Sequence, residues 1–356
     1  LSDPGSDPAG RHQRLLGIAL GALVTEHSGI TFSGAPVTPT AFGAAVLGQD
    51  LAAWVILDVR QRDPASLLGA VMAWAIRTEA RSVRIITDLD SEVLSRRAAH
   101  WDLEVSVWLR EGRSLTMCGP APVGPVRSPD PRHLAFVDVI RDAGVSVSIE
   151  HGVVAGEVRG LEICRVVDDP TGAARLQVGV GANDRLAFSM LYEGEPVEQS
   201  LGRVESEVRT HRSLGAARHP LNQLAKERFL RWYLEQSPEI VGARSLTSEP
   251  GPIPRIGLSA ASPCSAIGVD LTGKPMLVIC SVGIDLDVVP YAIDARLQAE
   301  SRAVVQPLDG PGGRSRLVIV VPSRDLIAVQ KDLAARIAPD AQWEPVEFVG
   351  IDWPAP

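Results

Sequence analysis

Trp54–Val59 reads WVILDV, and Pro64–Thr78, just beyond it, reads PASLLGAVMAWAIRT. The first run is short, apolar and rich in β-branched residues, which suits a strand buried on both faces. In the second, Leu67, Leu68, Val71, Trp74 and Ala75 recur at helical spacing. Asp63-Pro64 supplies an N-cap and a first helical residue whose φ is already set. A buried strand leading directly into a long helix is the opening of a βαβ unit, and hence of a mainly parallel sheet.

Working outward, Val83–Thr87 is expected as a second strand, Ser91–Trp101 as a second helix and Val105–Leu109 as a third strand. Upstream, Leu15–Val24 (LLGIALGALV) reads as a buried first helix that ends near Gly29. The acidic, Pro/Gly-rich LSDPGSDPAG before it is a poor flank for a secretory leader, and the run falls short of the ~20 apolar residues a bilayer span needs. The far end of the chain repeats the order: strand Met276–Ser281, helix Asp287–Gln298, strand Arg316–Val321, helix Asp325–Ile337 and strand Trp343–Val349.

Between these ends the pattern changes. A helix near His133–Ala143 leads into strand Val145–Ile149, then the run Gly156–Val167 (GEVRGLEICRVV) and strand Arg175–Val180. The last two are joined by DDPTG, a hairpin turn. Helices at Val197–Arg212 and Pro220–Gln236 close the segment. Pro and Gly crowd Gly119–Arg132 and Thr247–Pro263, denying the backbone both helix and paired strand. The expectation is therefore an α/β chain of three modules, 1–118, 133–246 and 264–356, joined by linkers 119–132 and 247–263. The outer two share a β-α-β-α-β plan, and the middle one is α+β with a hairpin and two closing helices.

At 356 residues with 45% apolar content, the chain can bury several cores rather than remain disordered. Its formal charge of −8 argues against a basic face covering the whole molecule. Lys226, Lys274 and Lys331 are the only lysines, a bias toward arginine that a GC-rich bacterial genome produces. Cys118, Cys164, Cys264 and Cys280 lie far apart with no CxxC, which excludes a zinc ribbon and a small disulfide scaffold. No HExxH, GxSxG or complete GxGxxG occurs. Gly179–Asp184 (GVGAND) reads as a turn capped by Asn183 or Asp184.

The order helix, hairpin, central strand, helix, strand resembles the core of restriction-endonuclease-like, or PD-(D/E)XK, nucleases. That resemblance implies a pair of acids and an acid-x-Lys holding a divalent cation beside a strand end. Asp58-Val59-Arg60 matches as D-x-R, with Asp50 as the upstream acid. The middle module has Gln177 and Gly179 at the motif positions, with Glu157 and Glu162 on the preceding strand; the last has Cys280 or Ser281 and then Gly283, with Asp270 upstream. No acid-x-Lys exists in the chain. The resemblance thus implies a degenerate nuclease in which Asp58 and Arg60 are the residual catalytic pair and Asp50 and Asp58 the metal ligands. No cofactor is expected beyond Mg²⁺, should that site be active. Asp58 reads equally as a strand-end carboxylate capping the next turn, Glu157 and Glu162 as surface positions, and Asp285 and Asp287 as helix caps.

A basic segment, Arg203–Arg231, holds Arg209, Arg212, Arg218, Lys226, Arg228 and Arg231, and Trp232 and Tyr233 follow directly. These six side chains are the expected contacts to a phosphate backbone. The functional expectation is a cytoplasmic, weakly active or non-catalytic nuclease-like protein that binds nucleic acid or a partner that processes it. The alternative is a scaffold for a protein partner or a second copy of the chain. Neither reading calls for a membrane.

Overall fold

The computed structural model describes residues 8–30, 37–60, 62–182, 184–186, 196–255, 257–305, 315–337 and 345–353. They form a mixed α/β fold with three sheets. The chain divides into two compact units. One comprises Leu1–Val123, Leu286–Asp294 and Ile327–Pro345; the other comprises Gly124–Asp285, Ala295–Leu326 and Val346–Pro356.

In the first unit, α1 (Pro8–Ser28) is the expected opening helix, and Gly29, at φ +69°, ends it by donating to Thr25 O. Next come β1 (Thr38–Thr40), β2 (Gly43–Leu47) and β3 (Ala52–Leu57), then α2 (Leu68–Arg77), β4 (Ser82–Thr87), α3 (Ser91–Ala98), β5 (Glu104–Glu111) and β6 (Ser114–Cys118). They build a sheet in sequential order. β3, β4 and β5 run parallel, as WVILDV and its followers require. The β1/β2, β2/β3 and β5/β6 pairs are antiparallel, so the sheet is mixed rather than mainly parallel. The antiparallel strands escape a pattern search because GAAVL is alanine-rich and SLTMC is largely exposed. All six residues of β3 are buried, and Asp63 Oδ1 caps the turn before α2 by accepting from Ala65 N at 2.9 Å. Leu16, Leu20 and Val24 of α1 pack on Trp54, Ile56 and Ile86.

The second unit begins with the short helices α4 (Pro131–Leu134) and α5 (Val137–Asp142). A four-stranded antiparallel meander follows, of β7 (Ser146–Glu150), β8 (Val153–Val158), β9 (Leu161–Asp168) and β10 (Ala174–Val178). The run expected as one strand over Gly156–Val167 is a hairpin, because Arg159 (φ 48°) and Gly160 (φ 75°) both turn left-handed between β8 and β9. The DDPTG hairpin joins β9 and β10, with Asp169 Oδ1 accepting from Thr171 and Ala173 N–H. Then come α6 (Val197–His211) and α7 (Lys226–Gln236).

α7 touches the meander through Arg228 and Arg231, but its apolar face is turned to another sheet. Its Phe229, Leu230 and Leu234 sit in a core with Met276, Val278, Val318 and Val320 of the third sheet. That sheet has the order β11 (Ala243–Glu249), β12 (Cys264–Asp270), β13 (Pro275–Cys280), β14 (Arg316–Pro322) and β15 (Glu347–Ile351). β11 runs through the expected boundary at 246/247. The β11/β12 and β12/β13 pairs are antiparallel, while β13, β14 and β15 are parallel, so this sheet too is mixed. Between β13 and β14 lies α8 (Val288–Val305), whose residues to Asp294 group with the first unit, as does α9 (Ala328–Ala335). The expected strand onset at Trp343 lies outside the described residues, as does Asn183. Asp184 Oδ2 accepts from Val180 N at 2.7 Å.

Candidate functional site

β3 delivers Asp58 to its carboxyl end, where Asp58 N donates to Phe42 O at 2.9 Å. Its Oδ1 accepts from Arg60 N at 3.2 Å and from Arg60 Nε at 3.3 Å, and Oδ2 lies 3.1 Å from His12 Nε2 on α1. Burial alone would raise the Asp58 pKa. The N–H and guanidinium of Arg60 and the imidazole of His12 outweigh it and hold the carboxyl below its ordinary range. Asp58 and Arg60 are thus brought together, with His12 as a partner the sequence did not single out.

Asp50 is not part of this corner. It lies before β3, accepting from Ala52 N at 3.1 Å, and the six strand residues between place it about 20 Å away at ~3.3 Å per residue. The expected Asp50–Asp58 metal pair is therefore corrected: one strand holds its members at opposite ends. Asp270 is likewise at the far end of β12 from the strand end that carries Ser281, and its Oδ1 is occupied by Thr272 and Lys274 N–H. Among the described residues, no group of three or more His, Cys, Asp or Glu side chains is arranged to hold a metal ion.

The basic segment separates into two sets. Arg209 and Arg218 are exposed, and Lys226 is half-buried. Arg212 is fully buried, and its guanidinium serves backbone carbonyls: Nε to Arg159 O at 2.9 Å, Nη1 to Leu224 O at 2.8 Å and Nη2 to Ala225 O at 2.8 Å. Burial lowers its pKa to about 10. Arg228 and Arg231 are also buried. Arg228 pairs with Glu150 and Glu157, and Arg231 Nη2 donates to Glu157 at 3.2 Å. As phosphate contacts these three arginines are corrected, because each guanidinium is enclosed by its own unit. Glu157 and Glu162, expected at the surface, are 5% and 3% exposed. Glu162 accepts from Arg165, Arg185 and Arg255.

Lys226 lines a cavity of about 330 Å³ with Glu227, Ser259, Gly283, Arg324 and Asp325. It opens where β13 and β14 end, the crevice position at which parallel α/β sheets take ligands. Asp325 Oδ2 ties the two strand-end loops by accepting from Gly283 N at 2.8 Å. Glu227, 5% exposed, has its pKa raised to about 7, above all by burial and also by the Asp285 charge; Lys226 and the N–H groups of Glu227 and Ser262 oppose the rise. A carboxyl of this kind can donate or accept a proton near neutral pH. In the sequence Glu227 reads only as a charge offsetting its basic neighbours, since nothing local reveals its burial. Comparison with known proteins returns no matching family model, no matching curated relative and no matching solved structure.

Proposed function

We propose that the chain is a degenerate, nuclease-like protein that binds nucleic acid, or a partner that processes it, without cutting. Three modules, the outer two alike, are part of this reading. In support, α1 to β4 and α7 to β14 each run helix, hairpin, central strand, helix, strand, and in both sheets two antiparallel steps precede two parallel ones. The observation that carries the non-hydrolytic half is the Asp58 corner. Its carboxylate oxygens are taken up by Arg60 and His12, and the second acid is a strand length away.

Nucleic acid would be met by the basic side chains that remain outside the cores, Arg209, Arg218 and Lys226. A gel shift with a short DNA duplex at several salt concentrations, run beside a Mg²⁺-dependent cleavage assay, tests the reading. Binding that weakens with salt, is reduced by Arg209→Ala with Arg218→Ala, and comes without cleavage is the expected result. Cleavage abolished by Asp58→Ala would overturn the non-hydrolytic half, and no binding at low salt would overturn the other. The burial of Arg212, Arg228 and Arg231 favours the scaffold alternative, to which that last outcome, with self-association in light scattering, would give the advantage.

A further inference from the structure

A separate cavity of about 230 Å³ opens on the meander, and Arg127, Glu150, His151, Glu162, Arg165 and Arg255 are among the residues that line it. Its charges do not balance. Glu150 and Glu157 are shared by Arg228 and Arg231, and Glu162 alone is shared by Arg165, Arg185 and Arg255. Glu235, 3.4 Å from Arg231, adds a further carboxyl. Burial raises the Glu235 pKa, and with it the neutral form gains. At the rim, exposed Arg127 forms no ion pair among the described residues.

Guanidinium groups therefore outnumber carboxylates in a place where unpaired charge is costly. Arg255 registers the excess directly. Burial, and after it the repulsion of Arg228, lower its pKa, while its Nη1 is buried without a hydrogen-bond partner. His151 Nε2 is also buried and unpartnered. His151 sits at φ 50°, a left-handed conformation that non-glycine residues adopt at a cost, in the β7–β8 turn. A buried guanidinium N–H left over beside a polar cavity is what remains when an acceptor is missing.

We propose that this cavity binds the oxyanion of a small phosphorylated molecule, with Arg255, Arg165 and Arg127 as its cationic partners. A tetrahedral dianion would supply the missing negative charge and several acceptor oxygens, and guanidinium forks suit it better than ammonium groups do. The cavity admits a phosphate and a sugar-sized remainder but not a polymer. The site is independent of the nucleic-acid reading, since it uses none of Arg209, Arg218, Lys226 or Asp58.

The test is calorimetric titration of the full chain with sodium sulfate, with sodium chloride at matched ionic strength as the reference. Sulfate keeps its charge across the working pH range, so its own titration does not enter. One site is expected, with affinity lowered at least about tenfold by Arg127→Ala and by Arg255→Gln, the loss of one charge-assisted contact, and unchanged by Arg77→Ala. Arg127→Ala keeps the test valid if Arg255→Gln fails to fold, because Arg127 is exposed. A mononucleotide should displace sulfate, and a 5′-hydroxyl oligonucleotide should not. No heat beyond the chloride reference, affinity indifferent to Arg127→Ala, or displacement by the oligonucleotide would each overturn the proposal.

Discussion

Arg97 Nε donates to Asp294 Oδ2 at 2.7 Å, and the two side chains are 0% and 1% exposed. The pair joins α3 to the segment Leu286–Asp294 within one compact unit. Arg96 donates to the other oxygen of the same carboxylate at 2.8 Å, while Arg97 also reaches Asp287 and the carbonyl of Ala65. Burial works against the Arg97 charge, yet Asp287 and Asp294 raise its pKa above the ordinary value. Removing one partner of such a pair leaves an uncompensated buried charge. Asp294→Ala should cost roughly 3–5 kcal/mol in urea unfolding, whereas Arg97→Met with Asp294→Leu should recover most of it.

Arg231 and Arg218 belong to one basic segment but should respond oppositely to mutation. Arg231, 3% exposed, holds Glu150 and Glu157, so Arg231→Ala should lower the unfolding midpoint by an amount equivalent to about 3 kcal/mol. Arg218→Ala, at the surface, should leave that midpoint within about 0.5 kcal/mol while weakening any salt-dependent nucleic-acid binding. A thermal melt beside a gel shift on each variant reads both effects. Equal destabilisation by the two would contradict the burial assigned to Arg231.

The contrast between these arginines marks what a single sequence can reveal. Apolar runs such as WVILDV announce their burial through composition, and Asp63-Pro64 announces a helix start, because both signals are local. Arg228 and Arg231 lie three residues apart on α7, where spacing reads them as a polar stripe. Their partners Glu150 and Glu157 are more than 70 residues upstream. The same reason hid His12 from Asp58 and both cavities from view. Asp58 and Arg60 were legible as a pair because the strand end that juxtaposes them is itself a local feature, and Asp50 failed for the converse reason: a rigid strand separates it.

Gly43 supports the Asp58 corner from below. It has φ +138°, and a Cβ there would lie 2.0 Å from Ile56 O and 2.9 Å from Asp58 N. Backbone atoms cannot step aside as a flexible side chain can, so Gly43→Ala must displace β2 from β3. The expected cost is about 3 kcal/mol of stability. The NMR signal of the Asp58 amide should shift in this variant and not in Gly202→Ala, where the added carbon meets nothing within 4 Å.

Glu227 makes stability depend on pH in a direction opposite to most acids. Its folded-state pKa of about 7 lies above the ordinary 4.5, with burial as the main cause. Below pH 4.5 the carboxyl is protonated in both folded and unfolded chains and contributes no difference. Between 4.5 and 7 the unfolded chain has released the proton while the folded chain retains it, so the folded state binds more protons and loses stability as pH rises. Above 7 the full cost is present, on the order of 3 kcal/mol for a shift of this size. Glu227→Gln removes the titration and keeps the shape. Its unfolding midpoint should exceed that of the parent protein at pH 8, and the advantage should shrink as the pH is lowered through 7 and vanish near 4.5. Urea unfolding of both proteins at pH 4.5, 6 and 8 measures the difference, and an advantage constant across that range would mean that the Glu227 carboxyl is ionised throughout.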